Sequence, residues 1–247
     1  MPQQLHWEGV VNARDLAGLR TPDGPIQPGR LIRSANLSRL TERGKAELRS
    51  AGVSRIVDVR DPEERQIDPP PFLGEALYLN LPALPHGNWN LNAASAAARS
   101  NADYYRAWLK YACNNFAVIL QQLVDAPPGA VLLHCHVGKD RTGLAVALAL
   151  FVAGVPDEDI AADYAETGEH VGKLYAAILN RQADPEKRAE LARFLVSDPA
   201  EMLAALAFLR ELGGLDYLRR RGFGPGMQRA LRERLTRPNM TPCPKPS

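Results

Sequence analysis

The sequence predicts an α/β fold with a helical C-terminal part, and three observations carry that reading. Apolar runs of strand length occur at Val53 to Val59 and at Ala130 to Leu133. Segments of helical spacing lie next to them, and from Thr167 onward every segment reads as helix. With 247 residues and 45% hydrophobic content, the chain is long enough to bury a sizeable core, most simply as one domain.

Turn residues dominate the start, at Asn12 to Gly18, Thr21 to Pro25 and Gln27 to Gly29, around short extended pieces. Leu31 to Arg33 reads as a strand. Thr41 is placed to cap a helix running to about Ala51, with Gly52 as its left-handed C-terminal residue. The strand Val53 to Val59 ends in Asp58-Val-Arg60-Asp61-Pro62. Ligands of open α/β sheets sit beyond the carboxyl ends of strands, so Asp58 and Arg60 either face a site or form a structural ion pair.

Leu77 to Leu81 alternates as a short strand. His86 to Ala102 lacks an apolar face and reads as a loop or mobile insertion. Tyr105, Trp108, Ala112, Phe116, Ile119, Leu120 and Leu123 share helical spacing, which predicts a single helix from Asp103 to Val124 with Cys113 as core filling. After the strand Ala130 to Leu133 comes Thr142 to Ala153, apolar nearly all round and hence a helix deep in the core. Pro156 and the acids after it open another helix. Lys173 to Arg181, Pro185 to Val196, Ala200 to Leu212, Leu215 to Arg221 and Gly226 to Leu235 are further candidates, and Pro238 to Ser247 is expected to be disordered.

Net charge is only +2, so nothing global argues for nucleic acid. The arginines 219, 220, 221, 229, 232, 234 and 237 read as a solvated helical face. Three widely spaced cysteines fit neither a disulfide framework nor a zinc site and suggest a reducing compartment. No leader pattern or bilayer-length apolar run is found, so a cytoplasmic protein without stable membrane insertion is expected. A monomer without a cofactor is a separate expectation.

The stretch Val131 to Gly143 carries the chemistry: a strand ends at His134-Cys135, five residues follow, and Arg141-Thr142-Gly143 opens the apolar helix. The backbone N–H groups of such a loop converge on one point, where the helix dipole adds partial positive charge and attracts a phosphate. Gly138 and Gly143 permit sharp turns and close approach, and the planar fork of Arg141 can hold two phosphate oxygens. That setting favours a thiolate, so Cys135 is a candidate nucleophile attacking phosphorus in line, giving a cysteinyl-phosphate.

His134-Cys135-His136-Val137-Gly138-Lys139-Asp140-Arg141-Thr142-Gly143 resembles the signature loop of the protein tyrosine phosphatase superfamily. With Asn12-Ala-Arg-Asp-Leu-Ala-Gly18 and Asp58-Val-Arg60, the chain is similar, more narrowly, to atypical bacterial tyrosine and dual-specificity phosphatases of the mycobacterial PtpB kind. The resemblance implies a mostly parallel sheet flanked by helices, no metal, and hydrolysis of phosphotyrosine, often also of phosphoserine, phosphothreonine or phosphoinositides. It implies one phosphatase domain over residues 1–237, with the helices between Thr167 and Leu212 covering the site as a lid or simply packing on it.

Carried over residue by residue, Cys135 is the nucleophile and Arg141 binds the phosphoryl oxygens. The N–H groups from His136 through Val137, Gly138, Lys139 and Asp140 to Arg141 cradle those oxygens, and Thr142 hydrogen-bonds the sulfur. His134 orients the loop from behind or is a core histidine. Lys139 and His136 meet a second substrate phosphate or lie on the surface.

The Trp-Pro-Asp tripeptide of better-known tyrosine phosphatases does not occur here. Asp140, Asp58 and Asp61 therefore compete as proton donor, with Asp140 the first choice and Asp58 the alternative. A rhodanese-like sulfurtransferase and a catalytically dead phosphate-binding module are the rival readings. The former usually has a shorter loop without Arg-Thr-Gly.

Overall fold

The computed structural model describes residues 2–238. Six strands form one sheet: β1 (Gln3–Gln4), β2 (Arg14–Asp15), β3 (Leu31–Ser34), β4 (Val53–Asp58), β5 (Tyr78–Asn80) and β6 (Ala130–His134). Their order is β1-β2-β3-β6-β4-β5. The first three pair antiparallel, whereas β3, β6, β4 and β5 run parallel. Successive side chains leave a strand on opposite faces. Leu31, Val57, Val131 and Leu133 accordingly join one core cluster, and Ile32, Ile56, Ala130 and Leu132 join the other. Cover on both faces explains why β6 reads as a continuous apolar run rather than an alternation. The expected α/β architecture with a mostly parallel sheet is borne out.

Register places the site. Ser34, His134 and Asp58 are aligned across β3, β6 and β4, and Asp58 is aligned with Asn80 of β5. The carboxyl ends of four strands thus lie in one row, and Cys135 follows directly from the central strand.

The helices are α1 (Glu42–Ser50), α2 (Pro62–Ile67), α3 (Trp89–Ala96), α4 (Asn101–Tyr111), α5 (Cys113–Asp125), α6 (Asp140–Ala153), α7 (Asp157–Arg181), α8 (Pro185–Leu195), α9 (Pro199–Glu211), α10 (Gly214–Arg220) and α11 (Pro225–Thr236). Every residue of α6 from Thr142 to Leu150 is buried, as its all-round apolar sequence requires, and Gly154 ends it in the left-handed conformation. Thr41 caps α1 as expected, accepting from the Gly44 N–H at 3.1 Å.

Four readings are corrected. The stretch read as a loop contains α3 and the start of α4. Asn88 and Ser100 cap them, and alanine-rich sequence forms helix even where only Leu91 is buried, which periodicity could not register. The single helix expected from Asp103 to Val124 is two, broken at Ala112; both apolar stripes face one core, so the spacing passed through the break. Lys173 to Arg181 is not a separate helix but the end of α7, whose 25 residues span roughly 38 Å.

The arginine cluster is only partly a solvated face. Arg219 and Arg220 pair with Asp216 at the surface. Arg234, by contrast, donates to the carbonyls of Ala126, Pro127 and Gly129, and Arg232 to that of Val152. The tail expected to be disordered lies, after Pro238, outside the described residues.

Candidate active site

Cys135 stands at the carboxyl end of β6, 3% exposed, and its Sγ accepts from the Gly138 N–H at 3.3 Å. Gly138 has φ +76°, and a Cβ there would come within 2.3 Å of the Ser34 carbonyl, so only glycine fits. The loop carbonyls are tied outward. Asn12 Nδ2 donates to Val137 O at 3.1 Å and to Gly138 O at 3.3 Å, and Arg33 Nη2 donates to Gly138 O at 2.7 Å. Because a peptide unit is planar and trans, a carbonyl held on one side turns the next N–H to the other. The Gly138 N–H aimed at the sulfur is the direct result.

Beneath the loop, Asp163 of α7 accepts from Arg14 Nε at 2.7 Å and from Arg33 Nη1. All three side chains are buried, and the Thr167 hydroxyl lies 3.2 Å from Arg14 Nη2. Burial would raise the Asp163 carboxyl, but Arg33 and Arg14 outweigh it and hold it below the usual range. Glu166 Oε2, 3.9 Å from Arg14 Nε, supplies a second carboxylate to the cluster.

At the rim, Arg141 donates through both terminal nitrogens to Glu64, with Nη2 to Oε1 at 2.8 Å, and Asp61 Oδ2 lies 3.9 Å away. Burial opposes the guanidinium charge, but Glu64, Cys135 and Asp61 overcome it and push Arg141 up. Glu64 is fixed in turn by the Asp61 N–H, which donates to Oε2 at 2.9 Å in the first turn of α2.

Asp58 and Arg60 sit at the strand end, fully buried. Asp58 accepts from Arg60 Nη2 and from the Tyr78 hydroxyl, both at 2.7 Å, and His134 Nε2 is 3.8 Å away. Burial would raise the Asp58 carboxyl, but His134 and Arg60 prevail and hold it down. His134 donates through Nδ1 to the Cys135 carbonyl at 3.2 Å, and burial pushes it down against the pull of Asp58. The fully buried Thr142 hydroxyl makes no hydrogen bond, so the expected bond to the sulfur is not formed.

Asp140 opens α6 with its side chain 38% exposed. Its Oδ1 accepts from the Tyr105 hydroxyl at 2.7 Å and lies 3.3 Å from Lys139 Nζ. Lys139 was expected to offer its charge to substrate, but it is 1% exposed and its ammonium donates to the Phe194 carbonyl near the end of α8. His136 is half exposed, with Nδ1 3.9 Å from Asp68 Oδ2. Asp61 lines a 360 Å³ cavity with His86, Leu91, Tyr104 and Trp108. Burial raises its carboxyl, and its Oδ1 makes no hydrogen bond.

A model of the tyrosine phosphatase family matches residues 5–237. The chain belongs to that family. It is 30% identical over 220 residues to the triple specificity protein phosphatase PtpB of Mycobacterium tuberculosis, covering 75% of this chain and 78% of PtpB. It is also 29% identical over 143 residues to a tyrosine-protein phosphatase of Nostoc commune, covering 57% of this chain and 49% of that protein. The family membership expected from the loop is thereby borne out, and the chain is a phosphatase. Among the described residues, no cluster of three or more His, Cys, Asp or Glu side chains is placed to hold a metal, and no helix is long and apolar enough to cross a membrane.

Sequence reasoning missed Glu64, Tyr105, Arg33 and Asp163, and quoted Asn12 and Arg14 without a role. Two of these carried a signal. Asp61-Pro-Glu-Glu64 has the spacing of a capping box. Asp163 interrupts the buried face formed by Ile160, Ala161, Tyr164, Thr167 and Val171, and a carboxylate there requires a buried partner.

Proposed function

We propose that the chain hydrolyses phosphotyrosine through a cysteinyl-phosphate, and accepts phosphoserine, phosphothreonine or phosphoinositides in the same loop. The observation that carries this reading is the Gly138 N–H directed at Cys135 Sγ, in a loop whose carbonyls are bound on its outer side. With the phosphoryl oxygens in the cradle and against the Arg141 fork, Cys135 attacks phosphorus, the ester oxygen leaves with a proton, and water then releases phosphate. Hydrolysis of an aryl phosphate, with chelator present, tests it. Wild type should be active and Cys135→Ser slower by at least ~10³-fold. Unchanged activity in the variant would sink the mechanism, and no phosphate release from wild type would leave a phosphate-binding module.

Asp140 is the proton donor in this reading. It is part of the loop, partly exposed, and among the described residues no donor is bonded to Oδ2, whereas Asp58 is enclosed by Arg60, Tyr78 and His134. Asp61 is the second reading, favoured by its raised carboxyl, its unpaired Oδ1 and its place beside Arg141. Asp140→Asn should slow esters with poor leaving groups more than those with good ones. If Asp61→Asn alone shows that selectivity, the role moves to Asp61.

The lid reading narrows to α8 and the adjoining end of α7. No residue of α8 is buried, and Lys139 joins it to the loop at Phe194. In α9, by contrast, Met202, Ala205, Leu206 and Leu209 belong to the main core. A substrate carrying a second phosphate would meet His136 first and reach Lys139 only once α8 moves away. Parallel phosphate-release assays on phosphotyrosyl peptide and phosphoinositide decide between the substrate classes.

A further inference from the structure

Three helices converge on the Asp140 carboxyl. Tyr105 comes from α4, Tyr164 from α7, and Asp140 itself opens α6. The two tyrosine hydroxyls are 2.7 Å apart, and that of Tyr105 is also 2.7 Å from Asp140 Oδ1. Since Tyr105 donates its single hydrogen to the carboxyl, the bond between the hydroxyls must be donated by Tyr164. The direction of both hydrogens follows. The rings are held as firmly: Tyr105 packs edge-on against Trp108 and Tyr164, with centroids 5.6 and 5.9 Å apart, and is fully buried.

This arrangement distinguishes two oxygens that chemistry alone makes equivalent. A protonated carboxyl donates from one oxygen only. Oδ1 faces the Tyr105 hydrogen and, 3.3 Å away, the Lys139 ammonium, so a proton on Oδ1 would meet two donors. Among the described residues no donor is bonded to Oδ2.

We propose that Tyr105 is a positioning residue for proton transfer: its hydroxyl, backed by Tyr164, pins Asp140 so that the transferable proton resides on Oδ2. The inference rests on Asp140 being the proton donor. As the sulfur–phosphorus bond forms and the ester bond breaks, the Oδ2 proton passes to the departing oxygen and leaves a carboxylate. That carboxylate then takes a proton from the water that attacks the cysteinyl-phosphate, restoring acid and thiolate. Burial, and then the charge of Asp140, keep the Tyr105 phenol protonated throughout.

The test is a double-mutant cycle of Tyr105→Phe and Asp140→Asn, with kcat and KM measured on 4-nitrophenyl phosphate and on an alkyl phosphate. Phenylalanine keeps the ring packing and removes only the hydroxyl. Tyr105→Phe should lower kcat on the alkyl ester by about tenfold, change the aryl ester little and leave KM within about twofold. In the Asp140→Asn background it should cost nothing more. Equal losses on both esters, or additive losses in the double variant, would mean that the hydroxyl serves only packing.

If Asp140→Asn is selective and Tyr105→Phe is not, the positioning role fails while the donor stands. If Asp140→Asn is itself unselective, both fail. Tyr164→Phe, which removes only the outer hydroxyl, should show the same selectivity at a few-fold, and it replaces Tyr105→Phe as the deciding variant should the latter not fold; no selectivity there would overturn the proposal.

Discussion

The floor and the roof of the phosphate loop are built on different principles. The floor is a buried charge cluster in which Arg14, Arg33 and Asp163 are closed to solvent and tie three separate elements to the Val137 and Gly138 carbonyls through Arg33 and Asn12. The roof, in the proposed lid reading, is α8, which buries none of its residues and is joined to the loop by the Lys139 ammonium on the Phe194 carbonyl. Buried, multiply bonded groups hold a single geometry, whereas an element with little buried area opens at low free energy. A loop that must present its N–H groups without reorganisation requires the first. A site that must admit and release a phosphate ester is served by the second.

The largest effect is therefore expected at the floor. Asp163→Asn removes the buried anion that both guanidiniums share, leaving Arg14 only Glu166 at 3.9 Å, and should cost about 3 kcal/mol or more in urea unfolding. A loss under about 1 kcal/mol would show that the cluster does not fix the loop.

The same cluster sets a pH limit. The Asp163 carboxyl lies below its unfolded value, so its stabilisation is fully present above the ordinary carboxylate range near ~4 and is lost as pH falls through the folded value. Acid unfolding should steepen there in wild type and flatten in Asp163→Asn.

An intermediate effect is expected at the rim. Glu64→Gln removes the charge that fixes Arg141, and should lower kcat about tenfold while changing unfolding stability by under about 1 kcal/mol. Steady-state kinetics beside a urea curve separates the two.

The smallest effect belongs to the roof. Lys139→Met keeps the length and removes the charge bonded to Phe194, and should speed hydrogen exchange in α8 about tenfold with stability nearly unchanged. Slow exchange in α8 that matches the core strands would make floor and roof alike and remove the contrast between them.

The loop that carries the proposed nucleophile and arginine was legible in the sequence because it is one contiguous stretch whose glycines and flanking strand and helix all agree. What held that stretch was not. Glu64 is 77 residues from Arg141, Arg33 is 105 from Gly138, and Asp163 is 149 from Arg14. No local periodicity encodes such pairings. Only the odd polar residue on an apolar face, as at Asp163, betrays them. Lys139 misled for a related reason: a lysine in a phosphate loop suggests an exposed cation, and only the placement of α8 shows that its ammonium is taken up by a helix end. The α3 segment was missed because it is held by caps and alanine propensity, with almost no buried face to leave a pattern.

The central claim is that Cys135 forms a covalent phosphoryl intermediate in the cradle shaped by that floor. Rapid acid quench of the wild-type chain during turnover of an aryl phosphate, followed by peptide mass spectrometry, tests this directly. The peptide carrying Cys135 should gain the mass of one phosphoryl group, and the gain should vanish in Cys135→Ser. Turnover with no modified Cys135 at any quench time, or phosphate found on another residue, would contradict the account.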